Sequence, residues 1–344
     1  MNEALSEAHG NPRLIGHEDA IAAFMQAAAS RLHHAWLIHG TEGIGKASFA
    51  FHCANYLLSE GRQKIGALDV QERNYRLIAG GAHPDLKVLE RPVDPKTGVM
   101  KEEIPIDQVR DLTAFFQLTS SHGGWRIAIV KRADALNRNA ANALLKILEE
   151  PPPRSLILMT AVTPGKLLPT IRSRCRPLRL SPLDDAQMNE VLGDRLAECS
   201  GDDAKILHRM AQGSPGRALD ILAHDGLEIY RDFLNLLQTS PRERNAALLR
   251  FTGSGKVERE RFNLIARFCE DWLVRLRHMA ATGEAQEIIP GEGQLMRRMA
   301  VKPLAVWFDV AENCGQQFAL AQTASLDRRL IMLNNLQQIL AAAA

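Results

Sequence analysis

The sequence predicts an α/β domain built on a parallel sheet, followed by an all-helical C-terminal part. Two short apolar runs, residues 127–130 and 156–159, have the composition of strands buried on both faces. Between them, Asn137 can cap a helix whose apolar residues repeat at helical spacing over residues 140–148. From about residue 226 onward only helical periodicity remains. Alternating strands and helices are typical of a parallel sheet, which we expect within residues 1–180.

Length and composition exclude several classes of protein. A chain of 344 residues is too long for one typical core, so two or three domains are expected. No apolar run approaches the ~20 residues of a membrane span, and residues 1–13 lack the apolar core of a signal peptide. We therefore expect a cytoplasmic protein without a membrane partner. A net charge of +2 and 5% aromatic residues argue against a stand-alone nucleic-acid-binding module.

Cysteine and histidine usage gives no indication of a metal site. The five cysteines are widely scattered, which favours free thiols in a reducing compartment. Residues 60–84 contain no cysteine, and His83 alone cannot form a zinc site, because tetrahedral zinc needs clustered ligands. We predict neither zinc nor another bound metal.

A glycine-rich loop follows a short buried strand that the sequence predicts at residues 31–39. Such a loop aims backbone N–H groups at phosphate oxygens, and its lysine reaches the terminal phosphates. Ala47, however, stands where the GxxxxGK[ST] motif needs a hydroxyl for Mg²⁺, and Ser48 is rotated by about 100° around the helix. The loop therefore predicts an inherited P-loop fold, but whether it binds ATP or ADP stays open; the alternative is a glycine turn without a ligand. Its candidate phosphate-binding residues are Gly40, Gly43, Gly45 and Lys46.

Two further blocks are more specific. Residues 142–152 read Asn-Ala-Leu-Leu-Lys-Ile-Leu-Glu-Glu-Pro-Pro, and Ser173-Arg174-Cys175 follows. In this order and at this spacing they resemble the clamp-loader family of AAA+ ATPases. The resemblance implies a RecA-like α/β P-loop (AAA+) domain at residues 1–180, a small helical lid at 181–225 and an all-α helical collar domain at 226–344.

The strand before residues 142–152 corresponds to the Walker B strand of that family, which ends in Asp-Glu in active members. Here Lys131 and Arg132 stand at those positions. A cation neither ligates Mg²⁺ nor acts as a general base at neutral pH, so we do not expect this chain to hydrolyse ATP. The alternative is that Asp134 is the metal ligand and the strand is misaligned by a few residues.

Two arginines carry roles implied by the resemblance. In the family, the arginine of Ser-Arg-Cys, here Arg174, acts as an arginine finger at a neighbouring subunit's γ-phosphate. The alternative is a local basic group that Arg174 forms with other arginines of residues 172–179. Residues 213–217 resemble the sensor-2 motif, so Arg217 either contacts nucleotide phosphates or only holds the lid against the P-loop domain.

The function implied by the resemblance is that of a non-hydrolysing subunit that needs no cofactor. It would organise the pentamer that loads the β sliding clamp on primed DNA and would donate Arg174 in trans. Its partners would be the δ subunit and the γ/τ ATPase subunits, with the clamp and DNA reached through the complex. Polymerase activity would belong to it only by complex membership. The alternative is a catalytically active ATPase of the γ/τ type.

Overall fold

The computed structural model describes residues 11–95, 100–118, 120, 124–197, 199–253, 257–323 and 326–343 of the chain. The chain forms two compact units. The first extends to Gly193 and includes Gln212–Arg217, and the second comprises Asp194–Ala211 and Ala218–Ala344. The division into three domains at residues 180 and 225 stays a prediction.

The first unit is built on a five-stranded sheet with the order β2-β3-β4-β1-β5. Every neighbouring pair is parallel, with Ala35 opposite Ile157 and Trp36 opposite Arg176. All residues of β3 and β4 are buried, as their continuous apolar runs predicted. The predicted parallel α/β fold is thus confirmed. The strands are β1 (Ala35–His39), β2 (Leu86–Leu89), β3 (Arg126–Val130), β4 (Ser155–Ala161) and β5 (Arg176–Arg179).

Helices cover both faces of this sheet, and each face has its own apolar core. Leu112 and Leu144 belong to the core on one face, and Phe24 and Phe49 to the core on the other. The helices of this unit are α1 (Glu18–Ala29), α2 (Lys46–Leu58), α3 (Arg73–Ala79), α4 (Ile106–Gln117), α5 (Arg138–Glu149), α6 (Pro169–Arg172) and α7 (Asp185–Leu192).

The second unit is helical wherever the structure describes regular elements in it. Its core contains large aromatic side chains, among them Trp272, which meets Phe233 edge to face at 6.1 Å between ring centroids. The helices are α8 (Asp194–Ala197), α9 (Gly201–Ala211), α10 (Pro215–Ala223, whose first turn belongs to the first unit), α11 (Gly226–Gln238), α12 (Arg244–Thr252), α13 (Arg259–Thr282), α14 (Glu292–Met299), α15 (Leu304–Thr323) and α16 (Arg328–Ala342). None of the described helices could span a membrane.

A buried polar cluster joins three helices of the second unit. Glu292, with a side chain only 1% exposed, pairs with Arg275 and accepts the hydroxyl proton of Tyr230 at 2.7 Å. It also accepts the backbone N–H of Ile288 at 3.0 Å. A carboxylate buried this deeply needs such partners, because water cannot solvate it.

Candidate functional site

The glycine loop lies at the carboxyl end of β1 and leads into α2. Gly43 and Gly45 adopt φ of 76° and 98°, a backbone region that favours glycine, and Gly45 precedes the first helical residue. Lys46 is buried, and its ammonium donates to the carbonyls of Gly40 at 2.9 Å and Thr41 at 2.6 Å. Burial lowers the pKa of Lys46 to about 8, against the opposing effect of Glu42. The strand–loop–helix context of a P-loop is therefore present, and the lysine is hydrogen-bonded to carbonyls of its own loop.

Residues 213–217 pack against this loop, backbone to backbone. Ser214 donates its hydroxyl proton to the carbonyl of Glu42 at 2.7 Å, and the Gly216 N–H donates to the carbonyl of Gly43 at 2.9 Å. A Cβ atom at Gly216 would lie 2.7 Å from the Cα of Gly43. This contact brings the backbone of Arg217 to the P-loop, beside Gly43. Whether Arg217 contacts a nucleotide stays a prediction.

Two cations follow β3, at the positions where the resemblance implies acids in a hydrolysing protein. Lys131 is largely buried; its ammonium lies 2.9 Å from a carboxylate oxygen of Glu90 and 5.5 Å from the ring centroid of Phe51. Arg132 adopts φ 57° and pairs through Nη1 with Glu42 of the glycine loop at 2.9 Å. The positive charges at the tip of β3 are thus held by nearby carboxylates, and one of those carboxylates comes from the P-loop itself.

Asp134 is tied to the backbone beyond β4. Its side chain is 2% exposed, and Oδ2 accepts the backbone N–H groups of Val162 at 3.1 Å and Thr163 at 3.0 Å. Its other oxygen accepts from Nε of Arg132 at 3.2 Å. Since both oxygens have partners within the protein, a structural role is favoured over metal ligation. Among the described residues, no group of three or more His, Cys, Asp or Glu side chains could hold a metal ion.

Arg174 lies at the surface, between α6 and β5. Its Nη2 is 2.9 Å from Oε1 of Glu149, and its Nη1 donates to the carbonyl of Thr170 at 3.0 Å. Its side chain is 36% exposed. Arg174 precedes the amino end of β5, whereas the P-loop follows the carboxyl end of β1, which runs parallel to β5. The length of a strand, roughly 15 Å, therefore separates Arg174 from the chain's own P-loop.

A cavity of about 620 Å³ lies beside Arg174, at the amino end of β1 and β5. The rings of His33 and His34 stack with centroids 4.4 Å apart, and Nε2 of His34 donates to the carbonyl of Leu148 at 3.1 Å. The sequence predicts that the strand begins at residue 31, but β1 begins only at Ala35, so the prediction is wrong for residues 31–34. The signal that could have distinguished it is the polar run before the apolar residues. The cavity is lined by Arg31, Leu32, His33, His34, Cys175 and Arg176.

The sheet domain is similar to known proteins of one family. Residues 16–184 match the family described as DNA polymerase III, delta subunit. The DNA polymerase III subunit delta′ of Pseudomonas aeruginosa is 39% identical over 183 residues, which cover 53% of this chain and 53% of that protein. The subunit delta′ of Escherichia coli is 34% identical over 200 residues, 57% of each chain. The alignments thus span little more than half the length of these relatives.

A second type of DNA polymerase III subunit is also similar. The subunit tau of Escherichia coli is 30% identical over 212 residues, which cover 61% of this chain but only 31% of that protein. The region that matches the family contains the P-loop, the tip of β3 and Arg174. Residues 16–184 are therefore similar to the DNA polymerase III delta-subunit family, and the predicted resemblance to the clamp-loader family is confirmed.

Proposed function

We propose that this chain is a non-hydrolysing δ′ subunit of the bacterial replicative clamp loader, which organises the pentamer and donates Arg174 to a neighbouring ATPase subunit. The observation that carries the proposal is the pair of cations, Lys131 and Arg132, at the tip of β3. ATP hydrolysis in a P-loop enzyme needs a carboxylate there to hold Mg²⁺ and another group to orient the attacking water.

The surroundings of these cations support the loss of hydrolysis in cis. Lys131 pairs with Glu90, and Arg132 pairs with both Glu42 and Asp134. Neither Lys131 nor Arg132 can take the place of the missing carboxylate in any rotamer, because both side chains are cations. Ala47 independently removes the hydroxyl that a P-loop uses on Mg²⁺. Two separate defects in the same site support a role that does not depend on hydrolysis by this chain.

The position of Arg174 supports a role in trans. It is partly exposed and lies at the opposite end of the strands from the chain's own P-loop. A guanidinium at the surface can reach the phosphates of a nucleotide held by another subunit and stabilise the charge of phosphoryl transfer. The competing interpretation, a local basic group with Arg172, Arg176 and Arg179, predicts no effect of Arg174 on a neighbour's turnover.

The proposed partners are the δ subunit and the γ/τ ATPase subunits, with the β sliding clamp and primed DNA reached through the complex in the cytoplasm. The helical second unit would supply the collar contacts. No cofactor is required by this role. We expect ATP or ADP to bind only weakly, because the Lys46 ammonium is already hydrogen-bonded to the carbonyls of Gly40 and Thr41, and because Gly216 packs on Gly43.

The test is ATP turnover by the reconstituted complex, stimulated by clamp and primed DNA, with Arg174→Ala compared with wild type. Loss of an arginine finger lowers turnover at the site it serves by ~10³-fold or more. Arg172→Ala, an exposed arginine two residues away, is the matched control and should leave turnover unchanged. Normal turnover of an assembled Arg174→Ala complex would reject the trans role.

The isolated chain tests the second candidate, an active ATPase of the γ/τ type, which the similarity to subunit tau favours. We expect no Mg²⁺-dependent turnover from the isolated chain. Turnover that is abolished by Lys46→Ala would instead establish hydrolysis in cis. It would require a metal-binding carboxylate elsewhere than at positions 131 and 132, with Asp134 as the candidate.

A further inference from the structure

The C-terminal end of α5 carries two adjacent carboxylates, Glu149 and Glu150, immediately before Pro151. A carboxylate at this end of a helix faces the negative pole of the helix dipole, which disfavours it unless a cation lies nearby. Glu149 has such a cation, Arg174, which comes from a segment 25 positions later in the chain (174 − 149).

Two contacts fix the guanidinium of Arg174. Nη2 lies 2.9 Å from the Glu149 carboxylate, and Nη1 donates to the carbonyl of Thr170 at 3.0 Å. Because a guanidinium is a rigid planar fork, anchoring both terminal nitrogens sets the orientation of the whole group. With only the Thr170 contact, the long side chain would be free to sample other rotamers.

The C-terminal end of α5, which carries Glu149, is itself held in place. The carbonyl of Leu148, the preceding residue, accepts a hydrogen bond from Nε2 of His34, which stands directly before β1. Ile147 and Leu148 are buried in the core between α5 and the sheet. The end of α5 is therefore held against the first strand, and the Glu149 carboxylate projects from it toward Arg174.

We infer that Glu149 is a positioning residue that holds Arg174 in the geometry needed to act on the neighbouring subunit's nucleotide. This inference rests on the proposed function, since it assigns the residue that supports the trans arginine. An exposed ion pair contributes little to stability, so its value here lies in orientation. A guanidinium oriented before the subunits meet loses less conformational freedom on reaching the phosphates.

The test is a double-mutant cycle in the reconstituted clamp-loader complex. The variants are Glu149→Ala, Arg174→Ala and the double variant, with Glu150→Ala as a matched control at the same helix end. We expect Glu149→Ala to lower kcat about tenfold at the site that Arg174 serves, with the KM for ATP unchanged, because misplacing a catalytic group is costly. Glu150→Ala should match wild type, and Glu149→Ala should have no further effect once Arg174 is alanine.

Glu149→Gln keeps the shape of the side chain and separates positioning from folding. Its amide oxygen can still accept from the guanidinium, so we expect a smaller loss than in Glu149→Ala, with every complex assembling normally by gel filtration. Normal turnover of Glu149→Ala, or an additional loss in the double variant, would overturn the inference while leaving the proposed role of Arg174 in place. Normal turnover of Arg174→Ala would overturn both.

Discussion

The close approach of residues 213–217 to the P-loop gives a quantitative prediction for Gly216→Ala. The new Cβ would lie 2.7 Å from the Cα and 3.0 Å from the carbonyl oxygen of Gly43. Both are backbone atoms, so no side-chain rotation can relieve the clash. The segment must move away from the loop, which lengthens the hydrogen bond from the Gly216 N–H to the Gly43 carbonyl, now 2.9 Å.

Three contributions determine how much Gly216→Ala changes the free energy of unfolding. Overpacking of a tight contact costs roughly 1–3 kcal/mol, and a weakened hydrogen bond adds up to about 1 kcal/mol. Alanine regains up to about 1 kcal/mol relative to glycine, because Gly216 lies in the first turn of α10. The last two contributions roughly cancel, so the net loss of unfolding free energy is about 1–3 kcal/mol.

The measurement is urea-induced unfolding, combined with hydrogen exchange of the amides of residues 43–46. Gly165→Ala is the control, because this glycine is exposed and a Cβ added to it would meet no atom within 4 Å. The control should change stability by no more than about 0.5 kcal/mol. If Gly216→Ala behaves like Gly165→Ala and the loop amides keep their protection, residues 213–217 do not support the P-loop in solution.

Three further predictions concern titratable or charged side chains that are buried. Burial lowers the pKa of His52 to about 4, whereas the pKa of an unfolded histidine is near 6.5, so the unfolded chain binds the proton first as the pH falls. The unfolding free energy should therefore drop by up to about 3 kcal/mol between pH 6.5 and 4. In urea titrations, His52→Gln should make the unfolding free energy less dependent on pH over this range. Arg275→Met should cost about 3–5 kcal/mol in unfolding free energy because it leaves Glu292 buried without its cation, whereas Tyr230→Phe should cost about 1–2 kcal/mol; equal costs in urea unfolding would contradict this. Lys131→Met should cost less than about 1 kcal/mol by thermal unfolding, since its partner carboxylate is 36% exposed and can be hydrated; a loss above about 3 kcal/mol would refute it.

The sequence predicts those features of the fold whose signals are local. The apolar runs at residues 127–130 and 156–159 lie within β3 and β4, because a strand buried on both faces requires apolar residues at consecutive positions. Asn137 caps α5 as expected, its side chain accepting the Ala140 N–H at 2.8 Å. The glycine loop follows β1 and precedes α2, since its motif includes the turn itself.

The periodicity of apolar residues along the chain does not predict contacts between distant segments. Gly43 and Gly216 meet across 173 positions (216 − 43), and no local pattern indicates that the two glycines face each other. The pairing of Glu149 with Arg174 was likewise missed, although both residues belong to the motifs that identified the family. Motifs show which residues occur together in a family, whereas their contacts depend on how the sheet brings the elements together.

The two cations at the tip of β3 are each paired with carboxylates and are not isolated substitutions. Lys131 is matched by Glu90, and Arg132 is matched by Glu42 and Asp134, all within 3.2 Å. Replacing Lys131 by aspartate would place a carboxylate near Glu90 in a largely buried position, where like charges repel strongly. Removing Arg132 would leave Asp134 buried with only backbone donors. Each substitution that would restore a hydrolytic site therefore requires a second substitution elsewhere. This supports a role for the chain that does not depend on its own ATP hydrolysis.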